Sequence, residues 1–144
     1  MLGMSDKLRI YALDRIKVLE PTERKFKQPR KFDAEKFFED YYGIIIGDED
    51  FDVCPVALKV DSWQSKYLRT LPLHHTQVEV ERNDEYSIFE YRLCPSFDFR
   101  QKLLSMGGSV EVLAPAELIA KVCEEGIAEY LQPDEEYKFK VYKK

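Results

Sequence analysis

The sequence predicts an α+β fold built on a ferredoxin-like split βαβ unit, and three observations carry that reading. Two-residue alternation at Val56–Val60, Gln77–Glu81, Tyr86–Leu93 and Val110–Leu113 marks strands. Apolar residues at helical spacing near 63–71, 99–106 and 115–131 mark helices. Turn-forming residues separate these stretches. From Val56 the order is therefore strand, helix, strand, strand, helix, strand, helix, which is the split unit with one added C-terminal helix.

Ahead of that unit, Leu8 to Ala12 alternates, with Leu8, Ile10 and Ala12 on one side and Arg9, Tyr11 and Leu13 on the other. If the strand continues, Arg15 and Lys17 join the second side, and Pro21 stops it. Residues 21–32 contain two prolines and read as an extended connection. Asp33 is placed to cap a helix that Gly43 ends, with Phe37, Phe38 and Tyr41 forming a core or interface stripe. Residues 44–54 read as a linker. Their acids lack the glycine and distal glutamate of a calcium loop, so no metal is expected there.

Within the split unit, Asp61 or Ser62 caps a helix from Trp63 to about Leu71, and Trp63, Tyr67 and Leu71 are expected to face the sheet. Val78 and Val80 are expected to point inward and the intervening glutamates outward, with a turn at Asn83-Asp84. On the return strand, Phe89, Tyr91 and Leu93 share one side, and Tyr86, Ile88 and Glu90 the other. Ser96 or Asp98 caps the next helix, whose Phe99, Leu103 and Met106 form one face and whose end is marked by Gly107-Gly108. Pro115 opens the last helix, with Ile119, Val122, Cys123, Ile127 and Leu131 as its buried stripe. The tail Tyr137–Tyr142 alternates aromatics with lysines and reads as an edge strand, within this chain or across a dimer.

At 144 residues the chain accommodates one ordinary domain or two small ones. No apolar run approaches the roughly 20 residues that span a bilayer, and no signal-peptide core is visible, so a cytoplasmic protein without a membrane partner is expected. Three widely spaced cysteines (Cys54, Cys94, Cys123) fit a reducing compartment better than a disulfide framework or a zinc site, and read as small buried hydrophobes. An enzyme is not expected. His74 and His75, if they lie on a strand, point to opposite sides and cannot make one site, and no nucleophile elbow or phosphate loop is present. The sharpest electrostatic feature is residues 7–31, which hold nine Lys/Arg against three acids in a chain of net charge −5. Such a stretch suits either a solvated edge or an anion-binding surface.

The run Arg9-Ile-Tyr-Ala-Leu-Asp-Arg-Ile16, followed by Phe26, Pro29 and Phe32-Asp33, resembles the second half of a WYL domain. Leu71-Pro-Leu-His-His-Thr-Gln77 and Gly107-Gly-Ser-Val-Glu-Val-Leu-Ala-Pro115 resemble the C-terminal extension domain that follows it. The Trp-Tyr-Leu strand that names the family is absent, and Met1–Met4 reads like chain just downstream of it, as in a fragment of a longer bacterial regulator. The resemblance implies part of an Sm-like, SH3-like β-barrel over 1–47, a ferredoxin-like extension domain over 55–132, and a tail over 133–144. It further implies a transcription regulator that senses an anionic ligand, single-stranded nucleic acid or a nucleotide, without cofactor. Arg9, Tyr11 and Arg15 would line the pocket, where arginine forks pair with phosphate and tyrosine stacks on a base. Arg69, His74 and His75 fall on a polar stretch that serves either the ligand or simply a helix end and its loop. A homodimer is expected, with promoter DNA reached only through an N-terminal domain that this sequence lacks. Two other readings stay open: a pure dimerisation module, and a small-metabolite site in the ferredoxin-like unit.

Overall fold

A computed structural model describes residues 11–27, 30–46, 50–126 and 136–143. The chain divides into two units, residues 1–31 and 32–144. In the first, the described residues form no strand. Leu13–Arg15 make one 3₁₀ turn, closed by Arg15 N–H to Ala12 C=O and Ile16 N–H to Leu13 C=O, where the alternation predicted an extended run. A strand must pair its backbone groups with a neighbour, and among the described residues this unit supplies none.

The second unit is organised on strand β1 (Cys54–Asp61), which is hydrogen-bonded on both edges. Helix α2 (Ser62–Thr70) follows, then the hairpin of β2 (Val78–Arg82) and β3 (Tyr86–Leu93), whose turn is held by Asn83 Oδ1 accepting from Glu85 and Tyr86 N–H. Helix α3 (Phe97–Ser105), strand β4 (Val110–Ala114) and helix α4 (Ala116–Glu125) complete it. The sheet order is β2-β3-β1-β4, antiparallel throughout. This is the ferredoxin-like arrangement the sequence predicted. Register places Val56 opposite Tyr91 and Leu58 opposite Phe89, on the face that packs against Leu68, Phe99, Leu103 and Leu118 of the helices. Alternation turns Ala57, Lys59, Ile88 and Glu90 to the opposite face.

Three elements differ from expectation. First, α2 does not bury its aromatic stripe: Trp63, Tyr67 and Leu71 are 63%, 54% and 79% exposed, and Ser65 and Leu68 face the sheet instead. Asp61 Oδ1 accepts from Gln64 N–H at 2.7 Å, and Ser65 Oγ donates to Val60 C=O at 3.1 Å. These two bonds set the helix rotation, and the small serine allows close approach to β1. Second, β2 carries a bulge between Glu79 and Glu81. The extra residue turns Glu79 to the helix side and Glu81 to the other, so the glutamates do not share one solvated face. Third, the helix after Asp33 is only Ala34–Phe38 (α1) and ends well before Gly43. The chain leaves the helix because Asp40 C=O accepts from Cys94 N–H at 2.8 Å and Tyr41 bridges to Cys94.

Residues 32–54 fall within the second unit. Asp98, expected as a cap for its own helix, accepts from Ile44 and Ile45 N–H at 3.0 and 3.1 Å. Gly43 lies so close to the Asp98 carboxylate that a Cβ there would overlap it. Asp50 pairs with Lys121 at 3.3 Å, and Phe51 packs on the core. Phe99, Leu103 and Met106 pack as predicted, and Gly107 ends α3 at φ +56°. In α4, Leu118 and Ile119 are buried and Pro115 stands just before the first turn; Ile127 and Leu131 lie outside the described residues. Cys94 is buried, and Cys54 and Cys123 are half-buried. The rotation of α2 predicts a sharp contrast in urea unfolding. Leu68→Ala should cost about 2–5 kcal/mol, whereas Trp63→Ala should stay within about 0.5 kcal/mol. Comparable losses would mean that the aromatic stripe is buried after all.

Candidate functional site

Of the six ligand-contact residues expected from the sequence, Arg9 lies outside the described residues. Tyr11 is 75% exposed and Arg15 is exposed at the end of the 3₁₀ turn, so the two no longer share an alternating row. Among the described residues, neither side chain has a hydrogen-bond or ion-pair partner within its own unit. Lys17, Arg24, Lys25, Lys27, Arg30 and Lys31 are likewise exposed, with Phe26 among them. The segment is chemically suited to anions: uncommitted cations interleaved with aromatic faces.

Arg69, His74 and His75 are placed very differently. Arg69 forks onto Glu79, Nη2 to Oε1 at 2.7 Å and Nε to Oε2 at 2.9 Å, and Ser87 Oγ joins the pair at 2.9 Å from Nη2 and 2.7 Å from Oε1. The arginine side chain's hydrogen bond lowers the Glu79 pKa. This guanidinium is already occupied by a carboxylate.

The histidines do meet, contrary to the expectation from a strand. Residues 71–77 form turns, and the two rings lie 4.2 Å apart at 35°. His75 Nε2 donates to Glu39 C=O at 2.6 Å. Thr76 Oγ1 donates to Arg92 C=O and accepts from Arg92 N–H, both at 3.0 Å, imitating a ladder pair beyond β2. His74 Nδ1 lies 2.7 Å from Thr76 Oγ1 and accepts from Thr76 N–H at 3.3 Å, and its buried Nε2 has no partner among the described residues. Gln77 closes the turn, donating to Leu68 C=O and accepting from Leu73 N–H and the Tyr91 hydroxyl. The polar run is a latch joining the end of α2, the end of β3 and the chain after α1.

Two charged sites escaped the sequence reading. Arg100 is buried, bonded to Glu125 and to Pro95 C=O and flanked by the Phe51 and Phe97 rings. Glu90 is fully buried at mid-β3, on the face opposite α2, α3 and α4. Its Oε1 accepts from the Tyr137 hydroxyl at 2.9 Å and Lys140 N–H at 2.6 Å; its Oε2 accepts from Val141 N–H at 2.7 Å and Tyr142 N–H at 3.1 Å. Lys140 Nζ reaches Glu81 at 3.1 Å, and the Tyr142 hydroxyl donates to Thr76 C=O. The described tail residues therefore form no edge strand; they strap across the sheet. A glutamate set between Phe89 and Tyr91 in the middle of a strand was the available signal.

A family model of the WCX domain matches residues 52–127, from just before β1 to just past α4. The chain belongs to the WCX family. WCX is the C-terminal extension of WYL-type regulators, so the resemblance carried by the 71–77 and 107–115 motifs holds. No curated protein matches the chain. Among the described residues, no helix is long and apolar enough to cross a membrane.

Two titrations follow for the WCX unit. Burial, and then the neighbouring His75, depress the His74 pKa. The unfolded chain thus binds the proton more readily, and stability should fall as pH drops below about 6.5, a slope that His74→Gln should flatten. For Glu90, burial alone would raise the pKa, but the Lys140, Val141 and Tyr142 amides and the Tyr137 hydroxyl outweigh it and hold it low. Its stabilisation is present above the ordinary carboxylate value of about 4.3 and is lost as pH falls through the lower folded value. Urea midpoints across pH 3–8, read for wild type, His74→Gln and Glu90→Gln, would check both windows.

Proposed function

We propose that the chain is a non-enzymatic, cytoplasmic ligand-sensing part of a WYL-type transcription regulator, and that its basic segment, residues 7–31, takes an anionic ligand such as single-stranded nucleic acid or a nucleotide. One contrast carries the reading. Tyr11 and Arg15 stand exposed with no side-chain partner among the described residues of their unit, whereas Arg69, His74 and His75 are committed to internal bonds. Arg15, with Arg9, pairs with phosphate through its fork, and Tyr11 offers a face on which a base stacks.

A second role, self-association of the WCX unit, is favoured by the outward Trp63–Tyr67 pair, stacked edge to face at 5.8 Å beside exposed Leu71. The two roles are compatible in one homodimeric regulator.

Fluorescence anisotropy with a short single-stranded DNA, its duplex and a mononucleotide, at two salt concentrations, tests the ligand reading. Saturable binding that weakens with salt is expected for the single strand. Arg9→Ala/Arg15→Ala should weaken it by at least about tenfold, while His75→Ala leaves it within about twofold. Absence of binding to every probe, or equal binding by the double variant, would refute it.

A further inference from the structure

Segment 137–142 is held in a way that does not depend on being part of the same chain. Its bonded partners, Glu90, Glu81 and Thr76, are 47 to 66 residues away in sequence. Three of the bonds to Glu90 come from backbone N–H groups and one from a tyrosine hydroxyl. We propose that the face of the WCX sheet opposite α2, α3 and α4 is a docking site for this extended strap, and that in an assembled regulator it receives the strap of a second copy.

Charge and reach both fit that occupant. The strap carries Lys138 and Lys140, and the face presents Glu81 and Glu90 to it. Gly126 and Glu136 are ten residues apart, which extended reaches about 35 Å. The four-stranded sheet is only about 14 Å across, so the connection is long enough to carry the strap past the chain's own sheet. Every second copy carries the matching segment, and a two-fold pair would make the contact twice, reciprocally. Retention in cis is favoured by a tether concentration on the order of millimolar. Exchange therefore draws on further contact between copies, for which the exposed Trp63–Tyr67 face of α2 is available. The inference deepens the self-association role, and none of its residues lies in the basic segment. Its failure would leave the nucleic-acid measurement unaffected.

The test uses the full chain. Lys140→Pro removes one of the amide donors to Glu90 and the ammonium contact with Glu81 without touching the core, which weakens the chain's own strap. A labelled peptide of residues 136–144 should bind Lys140→Pro at least about tenfold more tightly than wild type, whose own strap competes. Adding Glu90→Gln should abolish that gain, as should placing Lys140→Pro in the peptide, a control independent of the protein's folding. Sedimentation should show Lys140→Pro dimerising at least about tenfold more weakly than wild type. Failure to capture the peptide, capture indifferent to Glu90, or a dimer unchanged by Lys140→Pro would each overturn the proposal. The last outcome would mean that the strap serves only its own chain.

Discussion

A carboxylate buried in the middle of a sheet has to be satisfied, and Glu90 sets that requirement on the face opposite α2, α3 and α4. Leaving an ionised group there without partners would cost several kcal/mol, on the order of a domain's entire margin of stability. The chain meets the demand with its own C-terminal segment, which aims three amides and a hydroxyl at one side chain. On that same side of the sheet, Ala57 beside Glu90 is fully buried. A two-layer fold becomes three layers over part of its area.

The other face obeys ordinary packing, but its borders are also polar. Thr76 pairs with the Arg92 backbone, Gln77 ties α2 to Tyr91, and Asp98 gathers the chain after Gly43. Each bond fixes a backbone that neither helix nor sheet would otherwise hold. This explains why a motif rich in ligand-like side chains, Leu71–Gln77, works as a latch. It also leaves the proposed ligand contact to the basic segment, whose described cations stand exposed.

The sheet was legible in the sequence because alternation maps directly onto faces: Phe89, Tyr91 and Leu93 fell where expected, and so did Glu90 on the opposite side. Periodicity fails where position is set by a single hydrogen bond. In α2 the largest apolar residues suggested the buried face, but the Asp61 cap and the Ser65 bond to Val60 rotate Leu68 inward instead. The histidines were separated on the assumption of a strand, and a turn brings their rings together. Near Arg15, alternation predicted a strand that requires a partner, and one 3₁₀ turn stands there. Arg100 and Glu125 are 25 residues apart, and no local pattern announces their pairing. The candidate site was legible as composition, a basic run with aromatics, and not as geometry.

Amide hydrogen exchange at Lys140, Val141 and Tyr142 tests most directly whether Glu90 holds the strap. The account predicts that all three amides exchange slowly at neutral pH in the wild-type chain and become fast together in Glu90→Ala, while the amides of β1 stay protected. Fast exchange of the three in the wild type, or protection that survives Glu90→Ala, would contradict it.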